Sequence, residues 1–106
     1  MLPSDVLLNA LKQNRRDGWM PRGPGKGGYR DKSQTSKCCF LTAMCRYMRT
    51  IEPQGFALPE AFAAREALRE QLGVAEIAEW NDTRISFAEI EEGVMRAVRV
   101  LKASGR

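Results

Sequence analysis

Histidine is the residue type whose absence says most about this chain, because none of its 106 residues is a histidine. A Ser-His-Asp triad, a Cys-His nucleophile pair and any zinc site that includes histidine all need an imidazole. The three cysteines also fall short of the four ligands of a structural zinc site. We therefore expect a protein that is not an enzyme and that binds no metal and no cofactor.

Long apolar runs are missing as well. No stretch approaches the roughly 20 apolar residues that a membrane-spanning helix needs. The first residues lack the basic start and the apolar stretch of a signal peptide. These two absences predict a cytoplasmic protein without a membrane partner.

The cysteines are few and lie in one apolar segment, as Cys38, Cys39 and Cys45. An odd number in such a segment is not the disulfide framework of a secreted protein, so we expect reduced, buried thiols. The alternative is a nucleophile at Cys38 or Cys39, where Lys37 and the start of a predicted helix would lower the thiol pKa. With no histidine, that thiol has no general base of the usual kind.

The charge of the chain, +4 overall, is unevenly distributed. Residues 1–50 hold ten Lys or Arg against three Asp, whereas residues 51–106 hold seven against ten acidic residues. A basic half indicates an anionic partner, or else the two halves attract each other. The length suits one small domain, residues 1–106.

Apolar residues recur at helical spacing and predict a mainly α domain of about five helices, with the second and fifth forming the core. We expect Ser4 to cap the first helix and Ser36 to cap the second, although the run 38–41 could open as a strand instead. A Gly-Val pair at 73–74 predicts a Schellman stop for the third helix. The predicted helices are about 4–17, 36–51, 59–72, 74–80 and 86–103.

A basic, glycine-rich loop, residues 18–36, separates the first two predicted helices. Loops this long tend to be functional or disordered, and this one mixes cations that would bind phosphates with aromatics that would stack on bases. The alternative is that Trp19 and Tyr29 pin the loop to the core while its cations are only solvated. Gly25-Lys26 lacks the flanking residues of a P-loop. The candidate binding residues are Trp19, Arg22, Lys26, Tyr29, Arg30, Lys32 and Lys37.

The tripeptide Trp80-Asn81-Asp82 precedes the last predicted helix. We interpret it as structural: Trp80 is buried between helices, and the Asn81 and Asp82 side chains close a turn on the backbone. Ser86 and Glu89 have the spacing of a capping box.

Three carboxylates at three-residue spacing, Glu76, Glu79 and Asp82, could share one side of a helix. Such a cluster is a candidate site for a divalent cation or for acid–base chemistry. We favour a solvated helix face.

Three short motifs give the chain a resemblance to a known family. They are Gly18-Trp19, the run Cys39-Phe40-Leu41-Thr42-Ala43, and Trp80-Asn81-Asp82. Together they resemble a family of small uncharacterised proteins, a domain of unknown function found in actinobacteria and their phages, over about residues 6–101. The family's usual Cys-Leu-x-Gly-Ala has Phe40 and Thr42 here in place of its leucine and glycine. The resemblance implies a shared fold and a bacterial or mobile-element origin, and it implies no activity.

These observations predict a non-enzymatic binding module whose basic N-terminal half engages nucleic acid or another anionic surface. The alternative is a protein–protein module, such as a phage or mobile-element inhibitor that docks on a host nucleic-acid-processing complex. The sequence leaves the oligomeric state open.

Overall fold

A computed structural model describes residues 1–21 and 36–106 of the chain. Over these ranges the chain forms five α-helices and one 3-10 turn, Gly55–Ala57, which confirms the predicted mainly α class. Within the same ranges, no helix has both the length and the apolar character needed to cross a membrane. The helices are α1 (Pro3–Asp17), α2 (Phe40–Ile51), α3 (Pro59–Leu72), α4 (Ile77–Asp82) and α5 (Phe87–Ala103).

The centre of the fold is α1, which packs against α2, α3 and α5. Its apolar residues, from Val6 to Leu11, belong to the main hydrophobic core. The expectation that the second and fifth helices form the core is therefore corrected: α1 is the helix at the centre of the core. Half of the eight buried positions of α1 are polar, so the apolar pattern alone underestimates how much of this helix is covered.

The start of α1 differs from its prediction. Leu2 is the N-cap and Pro3 opens the helix, because a proline fits the first turn without losing a hydrogen bond. The carboxylate of Asp5 accepts from the Leu2 N–H at 3.0 Å. Ser4 is buried inside the first turn, and its N–H and hydroxyl both donate to the carbonyl of Arg106, at 3.0 and 2.9 Å. This serine therefore joins the two ends of the chain instead of capping a helix.

The start of α2 also moves, from the expected Ser36 to Phe40, with Cys39 as N-cap. The intervening backbone is used elsewhere: the Cys38 N–H donates to the Gly18 carbonyl at 3.0 Å, and the Met20 N–H donates to the Cys38 carbonyl at 3.2 Å. The alternative that residues 38–41 open as a strand corresponds to no strand in the described chain, where residue 38 forms an isolated parallel bridge with residue 19. The buried residues of α2 include the large side chains of Phe40, Met44 and Met48.

The end of α3 confirms its prediction. Gly73 has φ +67°, its N–H donates to the Glu70 carbonyl at 3.3 Å, and the Val74 N–H donates to the Arg69 carbonyl at 3.1 Å. This is the pair of bonds that defines a Schellman motif. Because Val74 completes that motif, α4 begins at Ile77, three residues later than expected.

The last helix starts where the capping box was expected, with Ser86 as N-cap. Neither bond of the predicted box forms between the described residues. The Ser86 hydroxyl makes no capping bond, while the Glu89 carboxylate accepts from the N–H of Ile85 at 3.2 Å. The glutamate therefore bonds to the residue before the N-cap and not to the N-cap N–H that a capping box uses.

Candidate functional site

Some of the predicted binding residues lie within the described ranges of the chain, and the others lie outside them. Arg22, Lys26, Tyr29, Arg30 and Lys32 lie outside the described residues. Trp19 lies in the described chain just before these residues, and Lys37 lies in the described chain just after them. We call residues 22–35 the basic segment and the described residues that flank it, 18–21 and 36–39, the loop base.

The two sides of the loop base are held together by backbone bonds between residues 18–20 and residue 38. These bonds close the chain on itself at the C-terminal end of α1 and the N-terminal end of α2. The described chain before the basic segment and the described chain after it therefore meet at one place.

Asn81, at the end of α4, makes four hydrogen bonds beneath the loop base. Its Oδ1 accepts from the Trp19 indole Nε1–H at 2.8 Å and from the Phe40 N–H at 3.0 Å. Its Nδ2 donates to the carbonyls of Met20 and Pro21, at 3.1 and 2.9 Å. The side chain has no solvent exposure. One amide thus holds chain from both sides of the basic segment.

This placement corrects the interpretation of Asn81 as a turn-closing residue. The turn after α4 is closed by the backbone, since the Arg84 N–H donates to the Asn81 carbonyl at 3.1 Å and the Thr83 N–H to the Trp80 carbonyl at 3.2 Å. Asp82 is exposed, whereas Trp80 is buried between helices as expected. The sequence indicated that this tripeptide is structurally important. The role of its asparagine, however, depends on residues about 60 positions away.

A second buried amide, that of Asn14 in α1, supports the other side of the base. Its Nδ2 donates to the Cys38 carbonyl at 3.0 Å and lies 3.4 Å from the Gly18 carbonyl oxygen. Its Oδ1 is buried and has no hydrogen-bond partner among the described residues. Asn14 therefore fixes the position of Cys38 over the end of α1.

A buried ion pair holds Ser36, the first described residue after the basic segment. The Arg46 Nη1 lies 3.3 Å from the Asp17 carboxylate, and both side chains are almost fully buried, at 5% and 1% exposure. Arg46 also donates to the Ser36 carbonyl at 2.6 Å and to its hydroxyl at 3.1 Å. The amide of Gln13 donates to the same carboxylate at 2.7 Å. A pair this deep is stable only when further hydrogen bonds satisfy it, as they do here.

Sequence reasoning missed this ion pair, although two local signals indicated it. Arg46 interrupts the apolar face of α2, and Asp17 lies at the C-terminal end of α1, where the helix dipole disfavours an acid. The pairing of Arg46 with Asp17 explains both the charged residue on an apolar face and the acidic residue at a helix C-terminus.

Trp19 and Lys37 have different surroundings. The indole of Trp19 is half-buried, packs against the hydrophobic core and is bonded to Asn81. This supports the interpretation that Trp19 pins the loop, because its ring already has a partner on the protein. Lys37 is exposed and carries its charge at the surface.

The thiols are enclosed by the fold. Cys38 and Cys39 are buried, at 0% and 3% exposure. Burial raises the pKa of Cys45 from its ordinary 9.0 to about 11, against a lowering influence of the Arg49 and Arg65 cations. A raised pKa reduces the thiolate fraction at neutral pH and so makes Cys45 a poorer nucleophile.

The carboxylates Glu76, Glu79 and Asp82 are all exposed. Over the described ranges, no group of three or more acidic or cysteine side chains is arranged to hold a metal ion. These three residues therefore match the solvated helix face that we favoured.

Comparison of the chain with models of known protein families, with curated protein sequences and with solved structures finds no match. The resemblance to the small actinobacterial and phage family therefore stays a prediction. The function must be argued from the loop base itself.

Proposed function

We propose that this chain is a non-enzymatic nucleic-acid-binding module that uses the basic segment to contact phosphates. The observation that carries the proposal is the closed loop base, which brings both ends of the segment to one place and fixes them with buried polar bonds. Ends that are already joined lower the ordering cost of binding, because loop closure has been completed in the fold.

The composition of the segment supplies the charge for this function. Residues 22–35 contain four cations against one acidic residue, Asp31. Lysine and arginine that neutralise phosphates release condensed counterions, and this sequence-independent term supplies most of the affinity of non-specific binding. The partner most consistent with such a segment is a phosphate backbone.

The ion pairs between described residues show where the two halves of the chain meet by charge. Of the ion pairs between described residues, only Arg15–Glu91 joins the basic half to the acidic half, and the others lie within one half. Attraction between the halves therefore has one ion-pair contact in the described chain.

The test is fluorescence anisotropy of labelled DNA and RNA titrated with the protein between about 50 and 200 mM salt. We expect micromolar binding that weakens steeply with salt. Replacing the four cations of the segment with glutamine should make the log–log salt slope shallower by about three, since each lost phosphate contact contributes roughly 0.7 to 0.9. The substitutions are Arg22→Gln, Lys26→Gln, Arg30→Gln and Lys32→Gln.

A matched control neutralises four exposed cations in the second half of α5 and just after it. Ser4 bonds to Arg106 and Arg15 pairs with Glu91, so α5 runs antiparallel to α1 and its end lies about 22 Å from the loop base, one length of α1. The control variant should keep most of the binding. Equal losses in both variants, or no binding at low salt, would contradict the proposal and leave contact with a protein as the function to pursue. The control substitutions are Arg96→Gln, Arg99→Gln, Lys102→Gln and Arg106→Gln.

A further inference from the structure

Large apolar side chains stay exposed on the face that α3 and the end of α5 form. Phe62, in α3, is 57% exposed, and Val100, in α5, is 42% exposed. Both line one groove of about 360 Å³, which α3 shares with the end of α5 and with Arg106. A single exposed apolar side chain is ordinary on a protein surface, whereas a group of them in one patch indicates an interaction site.

The apolar surface extends past the groove. The Ser4 hydroxyl donates to the carbonyl of Arg106, one of the residues that line the groove, so the first turn of α1 lies beside it. Leu2, the N-cap of that helix, is half exposed. We call Leu2, Phe62, Val100 and the groove the apolar face.

The groove has room for a large side chain, because two of the residues that line it, Ala63 and Ala67, are small. Phe62 stands at the same groove with more than half of its surface exposed. The Arg65 guanidinium holds its ring from one side, with Cζ 5.7 Å from the ring centroid. One surface therefore offers both a fixed aromatic side chain and a space that such a side chain fills. A self-complementary patch of this kind suits contact with a second copy of the same chain.

The charges at the groove favour the same occupant. Glu66 and Glu70 line the groove on α3, and the cation Arg106 lines it on the other side. These carboxylates would face the phosphates of a nucleic acid or of an anionic lipid, which disfavours both as occupants. In a two-fold dimer each patch meets its own copy, so the α3 side of one chain meets the α5 side of the other. Acidic groups then face a cation twice across the interface.

We propose that two copies of this chain form a two-fold dimer through the apolar face. Phe62 of each copy enters the groove of the other, and Glu70 of each copy pairs with Arg106 of the other. Glu66 takes no part in this pairing, because it is bonded to Arg69 within its own chain. The inference is independent of the proposed function, since neither the basic segment nor the loop base contributes to the apolar face.

Sedimentation equilibrium without nucleic acid tests the dimer. We expect the average mass to rise from that of one chain to that of two as the protein concentration increases through the micromolar range, which suits a small interface. Phe62→Asp should raise the dimer Kd roughly thirtyfold or more, because an aromatic anchor is lost on both sides of a two-fold contact. Circular dichroism checks that the variant is folded.

The matched control is Ile85→Asp, which makes a similar chemical change outside the apolar face. Ile85 is even more exposed, at 87%. It precedes the start of α5, and the helix rises roughly 20 Å between its start and Val100. The dimer Kd of this variant should equal that of the wild type.

A mixing experiment tests the crossed charges. Glu70→Arg and Arg106→Glu each place like charges opposite each other in a homodimer, so each variant alone should dimerise more weakly than the wild type. An equimolar mixture of the two variants should form mixed dimers with about the wild-type Kd, because both charge pairs then have opposite signs. A fluorophore on one variant lets sedimentation follow the mixed species.

Each result decides for or against the dimer. A wild type that sediments as one chain at every concentration would overturn the proposal, and so would a dimer that persists in Phe62→Asp. Mixed dimers no tighter than either homodimer would overturn the two-fold arrangement. Should Phe62→Asp fail to fold, the charge-reversed variants decide the matter, since Glu70 and Arg106 are both exposed.

Discussion

At the scale of single residues, buried polar side chains organise the candidate site. Asn14 and Asn81 bond to backbone on the two sides of the loop base, and Asp17 pairs with Arg46 beside Ser36. A buried polar group without a partner costs about 1–3 kcal/mol. Each of these side chains therefore constrains the backbone that satisfies it.

Cys45 gives a prediction about pH. Its folded-state pKa, about 11, exceeds the ordinary 9.0 because the thiol is largely buried. Between pH 9 and 11 the unfolded chain loses the thiol proton while the folded chain keeps it, so stability falls as pH rises through this window. We expect the wild type to lose about 2 kcal/mol more than Cys45→Ala over this range, by urea unfolding at pH 8 and pH 11.

The comparison with Cys45→Ala removes contributions from other groups. Tyr47, whose pKa burial also raises, titrates in both proteins, so its contribution cancels in the difference. An equal loss of stability in the wild type and the variant would show that the Cys45 thiol is not held protonated by the fold.

At the scale of elements, helix ends were predictable where their signals are local. Gly73 and Val74 end α3 as expected, because a left-handed glycine acts on neighbouring backbone, and α5 begins directly after Ser86 as expected. Ser4 and Ser36 were misassigned as caps because their partners, Arg106 and Arg46, are distant in sequence. Cap propensity cannot distinguish a serine that caps from one that bonds across the fold.

The contact of α5 with α4 depends on Gly93. A Cβ at this position would lie 2.7 Å from Cζ2 of the buried Trp80 ring and 3.0 Å from Cδ2 of Leu72. An alanine would gain about 1 kcal/mol of helix propensity on an exposed surface. Here we expect Gly93→Ala to destabilise the protein by about 1–3 kcal/mol, measured by denaturant unfolding, because the core is overpacked.

Trp80→Phe provides the control for this prediction, since phenylalanine lacks the second ring that carries Cζ2. In that background Gly93→Ala should cost less than in the wild type. An equal cost in both backgrounds would mean that the contact with Trp80 does not limit the approach of the two helices.

At the scale of the whole molecule, the proposed function links ligand binding to folding. A ligand that binds only the folded state, at about one hundred times its Kd, adds about 2.7 kcal/mol to the free energy of unfolding. For a chain of 106 residues this corresponds to a rise in Tm of about 10 °C. We expect this shift on adding DNA or RNA, followed by circular dichroism at low salt.

The variant with four glutamines in the basic segment checks the origin of the shift. Its Tm should be nearly unchanged by nucleic acid, and the wild type should lose the shift at high salt because counterion release then contributes less. A full shift in that variant would place the binding surface elsewhere on the molecule.

The sequence by itself determined the helical class, the approximate helices and the position of the basic segment, because apolar periodicity, proline and glycine act over a few residues. It also drew attention to the tripeptide at 80–82. Only the tertiary structure decided that α1 is central and that Asn81 and Arg46 hold the loop base. Those assignments depend on which buried polar groups meet across the fold, and such pairings leave no periodic trace in the chain.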